Sequence, residues 1–192
     1  MYEYIKGVLV EATPAYVVVE TGGIGYSICV SLNTYTRVVS AREVMLYIHQ
    51  VVREDAHLLY GFYSREERAL FRLLISVSGI GVNTANVMLS SMNAEEVTAA
   101  ILTENVNAIK SVKGIGLKTA QRIIIELKDK LGKDSGTIVG LSTSATLKEE
   151  ALSALVMLGF VRSQATKTLD KILSSGKVES VEELIKLALK QL

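Results

Sequence analysis

Two decapeptides in this 192-residue chain have the residue types and spacing for a definite chemistry. They are Ser76-Val77-Ser78-Gly79-Ile80-Gly81-Val82-Asn83-Thr84-Ala85 and Ser111-Val112-Lys113-Gly114-Ile115-Gly116-Leu117-Lys118-Thr119-Ala120. Seven of the ten positions are identical at an offset of 35 residues, so one helical unit is used twice. In each copy an apolar helix leads into Gly-Ile-Gly, and a second helix is expected to begin near Thr84 or Thr119. Glycine lets the backbone turn sharply and lets a ligand come close to it. The first N–H groups of the next helix have no intrahelical partner and sit at the positive end of its dipole. The chemistry is therefore anion binding, of a kind that suits a phosphate. The candidate contacts are the backbone of Gly79, Ile80, Gly81, Val82, Asn83 and Thr84, and of Gly114, Ile115, Gly116, Leu117, Lys118 and Thr119.

Two other readings of these residues compete. The glycines could simply cap one helix and open the next, although the repeat keeps the loop more faithfully than its flanks. Gly116-Leu117-Lys118-Thr119 also suggests a nucleotide P-loop. That motif needs glycine where Leu117 and Val112 stand, so ATP binding is rejected.

The elements that position the loops are legible between residues 64 and 131. Ser64 with Glu67 reads as a capping box, followed by a buried stripe of Leu70, Phe71, Leu74 and Ile75. Asn93 with Glu96 repeats the capping logic, and Asn105 opens a short helix before the second loop. Leu117–Leu131 reads as a long closing helix, with Lys118 and Arg122 one turn apart on one face. That face either adds cationic contacts to a phosphate or is simply solvated.

Residues 1–63 read as five short strands, Tyr4–Val10, Tyr16–Thr21, Tyr26–Ser31, Glu43–Val52 and Leu58–Phe62, which suit a small closed barrel of the OB type. All eight tyrosines lie here. Most of them are expected to fill the barrel or meet another subunit. Glu54 and Asp55 form the charged tip of a hairpin between two apolar strands, and on pattern alone they are solvated turn residues. Gly132 to Thr146 is rich in Gly, Ser and Thr and reads as a flexible linker. Residues 147–192 read as three helices. The first is capped by Thr146 with Glu149 and stopped by Gly159, the second starts at Ser163, and the third is capped by Ser180 with Glu183. The class is thus α+β and multidomain: barrel (1–63), tandem helical unit (64–131), linker (132–146) and three-helix domain (147–192).

Composition narrows the function. The single cysteine, Cys29, excludes a disulfide framework and a cysteine-based zinc site, and His49 and His57 alone make a poor metal site. Neither a cofactor nor a metal is expected. With no 18-residue apolar run and no signal peptide at the start, a cytoplasmic protein is expected, without membrane contact.

Gly-Ile-Gly-x-x-Thr-Ala, present twice, resembles the helix-hairpin-helix motif, which binds DNA backbone without reading sequence. A barrel carrying Arg53-Glu54-Asp55-Ala56 and Leu58-Leu59-Tyr60-Gly61-Phe62, followed by paired hairpins and a small helical domain, resembles the RuvA family from Met1 to Leu192. These are junction-binding subunits of the bacterial Holliday junction branch migration complex, active in recombination and repair. The resemblance implies a non-enzymatic homotetramer on four-way junction DNA, with one or two tetramers per junction. It also implies that Glu54 and Asp55 act as an acidic pin where the arms separate. The last domain would contact the hexameric RuvB ATPase, with the RuvC resolvase as a further partner. The sequence departs from the family pattern at Val82, Asn83 and Leu117, where Pro or Lys is common, which shifts binding at the first hairpin onto backbone N–H groups.

Net charge is only +1, and its distribution matters more than its size. Residues 1–63 hold four Lys/Arg against six Asp/Glu, and residues 64–140 hold ten against eight. The mildly basic middle agrees with hairpins that face DNA, and many weak sites would have to act together. The rivals are a DNA-backbone adaptor without junction preference and a helix-hairpin-helix glycosylase. For the glycosylase only Asp134 lies at a suitable distance, and it falls in the expected linker.

Overall fold

The structure is a computed structural model that describes residues 2–134, 143–175, 178 and 180–192. They form two compact units, Met1–Gly136 and Thr137–Leu192.

The first unit opens with a closed barrel of β1 (Tyr4–Ala12), β2 (Tyr16–Thr21), β3 (Ile24–Val30), β4 (Glu43–Val52) and β5 (His57–Phe62). The strand order around it is β1-β2-β3-β5-β4. Every pairing is antiparallel except β3 with β5, where Cys29 faces Tyr60 and Val30 faces Gly61. Alternating Val, Ile and Leu side chains point inward, and Val17, Val19, Ile28, Leu46 and Ile48 are fully buried.

Most of the tyrosines lie outside this core, and only Tyr26 and Tyr35 pack against it, half-buried. Tyr2, Tyr4, Tyr16 and Tyr63 are exposed, and only Tyr60 is buried, in the helical core beyond the barrel. A barrel of five short strands is filled by branched aliphatic chains, and a phenol there would lack a partner for its hydroxyl.

A seven-residue helix, α1 (Leu32–Val38), joins β3 to β4 and was not expected. Its Thr, Tyr and Val content favours a strand, and tertiary bonds override that preference. Ser31 caps it by accepting from the Thr34 N–H, the Asn33 side-chain amide donates to the Leu89 carbonyl at 2.6 Å, and the Leu32 N–H donates to Ser90 Oγ at 3.0 Å.

The helices that follow are α2 (Arg65–Ile75), α3 (Val82–Ser91), α4 (Ala94–Leu102), α5 (Val106–Lys110) and α6 (Leu117–Asp134). Asn93 and Glu96 form the expected reciprocal capping box, and Asn105 caps α5. At α2 only half of the expected box exists. Ser64 accepts from the Glu67 N–H, but the Glu67 carboxylate turns inward. There it accepts from Ser31 Oγ at 2.9 Å, Thr34 Oγ1 at 2.9 Å and the Tyr63 N–H at 3.1 Å.

Glu67 is only 8% exposed, and Ser31 and Thr34 are fully buried, so this carboxylate joins the barrel to the helical region. Truncation in Glu67→Ala leaves those donors unsatisfied. It should lower unfolding free energy by about 1–3 kcal/mol in a urea titration. An unchanged midpoint would mean that water replaces the carboxylate without cost.

The helical core runs from Tyr60 and Phe62 of β5 through Phe71, Leu74, Met88, Leu89 and Ile101 to Ile123 and Leu127. Strand β5 therefore contributes to the helical core as well as to the barrel wall. Arg68 adds a second tie by donating to the Glu3 carbonyl at 2.8 Å and pairing with the Glu3 carboxylate. The Arg68 guanidinium holds the Glu3 carboxyl below the usual carboxylate range. His49 on β4 stacks edge-on against Phe71, and burial, with Arg72 and Arg68 nearby, lowers the pKa of its imidazole.

The second unit contains α7 (Thr143–Met157), α8 (Arg162–Ser175) and α9 (Val181–Leu189) around Leu152, Leu155, Leu169, Ile172 and Leu184. Helix α6 reaches Asp134 and α7 begins at Thr143, so both ends of the expected linker are helical. That start also lies ahead of the cap expected at Thr146. The expectation of flexibility for 135–142 lies outside the described residues. Helix α7 ends as expected: the Gly159 N–H donates to the Val156 carbonyl and the Phe160 N–H to the Leu155 carbonyl, a Schellman pair. Ser180 caps α9 as expected, while α8 starts one residue before Ser163.

Candidate nucleic-acid interface

The two Gly-Ile-Gly loops have matched backbone geometry within the first unit. The Ile80 N–H donates to the Val77 carbonyl at 3.0 Å, and the Ile115 N–H donates to the Val112 carbonyl at 3.1 Å. Gly79 and Gly114 stand at φ +93° and +92°, a left-handed turn that disfavours any side chain. The next residues, Ile80 and Ile115, bury their side chains in the helical core and hold each loop down. Only their backbone is available to a ligand.

Gly81 and Gly116 differ from the preceding glycines. Gly81 is the N-cap of α3 at φ −85°, and neither Gly81 nor Gly116 is in the left-handed region. A Cβ built at either position meets no atom within 4 Å. Nothing inside the fold requires glycine at these two places.

Helix α3 begins at Val82, two residues before Thr84, while α6 begins at Leu117, the start read for the long closing helix. Their first helical bonds run from the Ala85 N–H to the Gly81 carbonyl and from the Ala120 N–H to the Gly116 carbonyl. Helix α3 has no side-chain cap, whereas α1, α2, α4, α5 and α9 are each capped by Ser or Asn. The N–H groups of Val82, Asn83 and Thr84 are thus left for an outside acceptor, and Gly81 adds no bulk in front of them.

Side chains around the two loops are not equivalent. Lys118 is exposed beside the second loop, and so is Lys113, which occupies the position of Ser78 in the repeat and was not among the candidates. The sequence carried that signal as the one cation inside either loop before its glycines. Asn83, the counterpart of Lys118, faces the barrel and accepts from the Tyr60 hydroxyl at 2.9 Å. Asn86, one turn on, donates to the Val30 carbonyl at 3.2 Å. These bonds fix α3 against the barrel. Arg122 on α6 leaves its own loop: its Nε donates to Glu126 at 2.9 Å and its Nη1 to the Ser78 carbonyl at 3.4 Å.

Glu54 and Asp55 form the tip of the β4–β5 hairpin, closed by the Arg53 N–H donating to the Ala56 carbonyl at 2.8 Å. Both are exposed, and among the described residues neither takes part in an ion pair. Strand β5 runs from this tip to Tyr60, which bonds Asn83, so tip and first loop belong to one packed unit. Among the described residues no His, Cys, Asp or Glu cluster could hold a metal ion, and no helix is long and apolar enough to cross a membrane.

Three family profiles match along the chain. "RuvA N terminal domain" covers residues 1–61, "SAM-like Helix-hairpin-helix tandem" covers 71–129, and "RuvA, C-terminal domain" covers 146–192. Similar curated proteins carry the name Holliday junction branch migration complex subunit RuvA. Those of Christiangramia forsetii, Bacteroides thetaiotaomicron and Porphyromonas gingivalis are 53%, 47% and 46% identical, over 193, 201 and 202 residues. Each match covers the whole of both chains.

Proposed function

The chain belongs to the RuvA family, and on that premise we propose that it binds four-way DNA junctions as a tetramer and recruits the RuvB ATPase for branch migration. The protein itself is non-catalytic and acts in the cytoplasm. The observation that carries this reading is the pair of matched Gly-Ile-Gly loops, the first leading into a helix with no side-chain cap, in the same packed unit as an acidic hairpin tip that makes no ion pair among the described residues. The loops grip phosphates through the N–H groups at residues 79–84 and 114–119, with Lys118 and Arg122 adding charge. They read no base edges, so selectivity comes from the shape of the junction. Glu54 and Asp55 form the pin where the arms part.

The division of labour follows the chain. The barrel of residues 1–63 holds the tetramer and the pin, residues 64–131 hold DNA, and residues 147–192 meet the motor. Within the last of these, Met157, Leu158 and Val161 are apolar, exposed and close together in sequence at the end of α7. They are the residues proposed for the motor contact, since they are the most exposed large apolar residues described in this unit.

A gel shift on junction, duplex and single strand, with mass measured by light scattering, tests the whole reading. A tetramer that prefers the junction is expected. Equal affinity for duplex would favour an adaptor without junction preference. Truncation after Gly136 removes the second unit as a whole. The remainder should bind junctions as before and lose all stimulation of the motor, and loss of junction binding by that folded tetramer would relocate the DNA site.

A further inference from the structure

We infer that Arg122, although it belongs to the second motif, supplies the cation for the phosphate held by the first loop. The inference rests on the phosphate-binding reading above and adds which loop Arg122 serves.

The repeat makes the imbalance plain. The second loop has Lys113 and Lys118, while the matching positions of the first are Ser78 and Asn83. Asn83 is also committed to Tyr60. The first loop thus has no cation of its own. By the same 35-residue offset, the counterpart of Arg122 is Val87, so the motif pair provides this cation once only.

Geometry places that one cation at the loop that lacks it. Arg122 reaches across to the Ser78 carbonyl, one residue before Gly79, while Glu126 one turn along α6 holds Nε. Guanidinium is planar and carries five donors, and two contacts leave several free. Among the described residues Nη2 has no protein partner and the side chain is about half exposed, so the remaining donors can meet a phosphate lying against Gly81 and the N–H groups of α3. Glu126 is a positioning residue: it orients the guanidinium and offsets part of its charge until DNA arrives.

A double-mutant cycle decides the assignment. Arg122→Gln alone should weaken junction binding roughly 5- to 20-fold and flatten its salt dependence by about one phosphate contact per protomer. Combined with Gly81→Val, which crowds the first loop, it should add less than about 2-fold. Combined with Gly116→Val, it should keep its full effect, because uncoupled sites add. Melting curves confirm that each variant is folded. If both glycine variants bind like the wild type, the phosphate-binding reading fails, and this inference with it. If they weaken binding but Arg122 couples to Gly116, or to neither, only the assignment of Arg122 falls.

Discussion

Gly81→Val and Gly116→Val should each weaken junction binding by roughly 10- to 100-fold while leaving a folded tetramer, as measured by fluorescence anisotropy beside a thermal melt. The structural reason is that these two glycines answer to nothing inside the protein. Their backbone lies outside the left-handed region and an added Cβ meets open space. The stability cost is that of a poor N-cap, about 1 kcal/mol at most. The binding cost is expected to be larger, because a branched side chain would stand in front of the N–H groups proposed to hold the phosphate. Each protomer of a tetramer would lose the same contact, so a modest loss per site multiplies. Gly79→Val and Gly114→Val make the contrast: at φ near +92° they should destabilise the fold itself by about 1–2 kcal/mol or more. A folded Gly81→Val protein with wild-type affinity would remove the phosphate site from the first loop.

What the sequence could and could not reveal follows from how local each cause is. Capping by Asn93 with Glu96 and the turn at Gly159 are decided within four or five residues, and both form as expected. Strand limits were legible because alternation of Val, Ile and Tyr is local too, and all five strands fall within two residues of the expected ends. Helix α1 was not legible, because the bonds that hold it come from Glu67, Leu89 and Ser90, far along the chain. The same distance hid the true role of Glu67, whose spacing from Ser64 suits a capping box but whose carboxylate is drawn to the buried hydroxyls of Ser31 and Thr34. At the candidate site, the repeat revealed both loops and their glycines. It could not show that Asn83 is tied to Tyr60, or that Arg122 crosses to Ser78, since both are contacts between elements.

For the hairpin tip, the double change Glu54→Gln and Asp55→Asn should tighten binding to duplex by roughly 5- to 150-fold at low salt, with a smaller change for the junction. Both replacements keep the shape of the side chain, and the turn is closed by backbone bonding between Arg53 and Ala56, so the hairpin should persist. In a fourfold tetramer the tips would gather eight carboxylates around one axis. Continuous duplex crossing that axis would bring its phosphates close to them, whereas the arms of a junction diverge there. One carboxylate–phosphate pair at ~10 Å costs about 0.4 kcal/mol in water-like dielectric. Several pairs sum to about 1–3 kcal/mol at low salt, and the exposed Arg53 beside each tip draws the total towards the lower end. Near physiological ionic strength the screening length is about 8 Å, so the gain should shrink steeply as salt is added. A pin of this kind would work chiefly by weakening the wrong partner, and the variant should lose selectivity more than it gains affinity for the junction. The measurement is a pair of titrations, duplex and junction, across a salt series with the tetramer verified by mass. If duplex affinity at low salt equals that of the wild type, Glu54 and Asp55 are turn residues and the selectivity for junctions must arise from the placement of the loops alone.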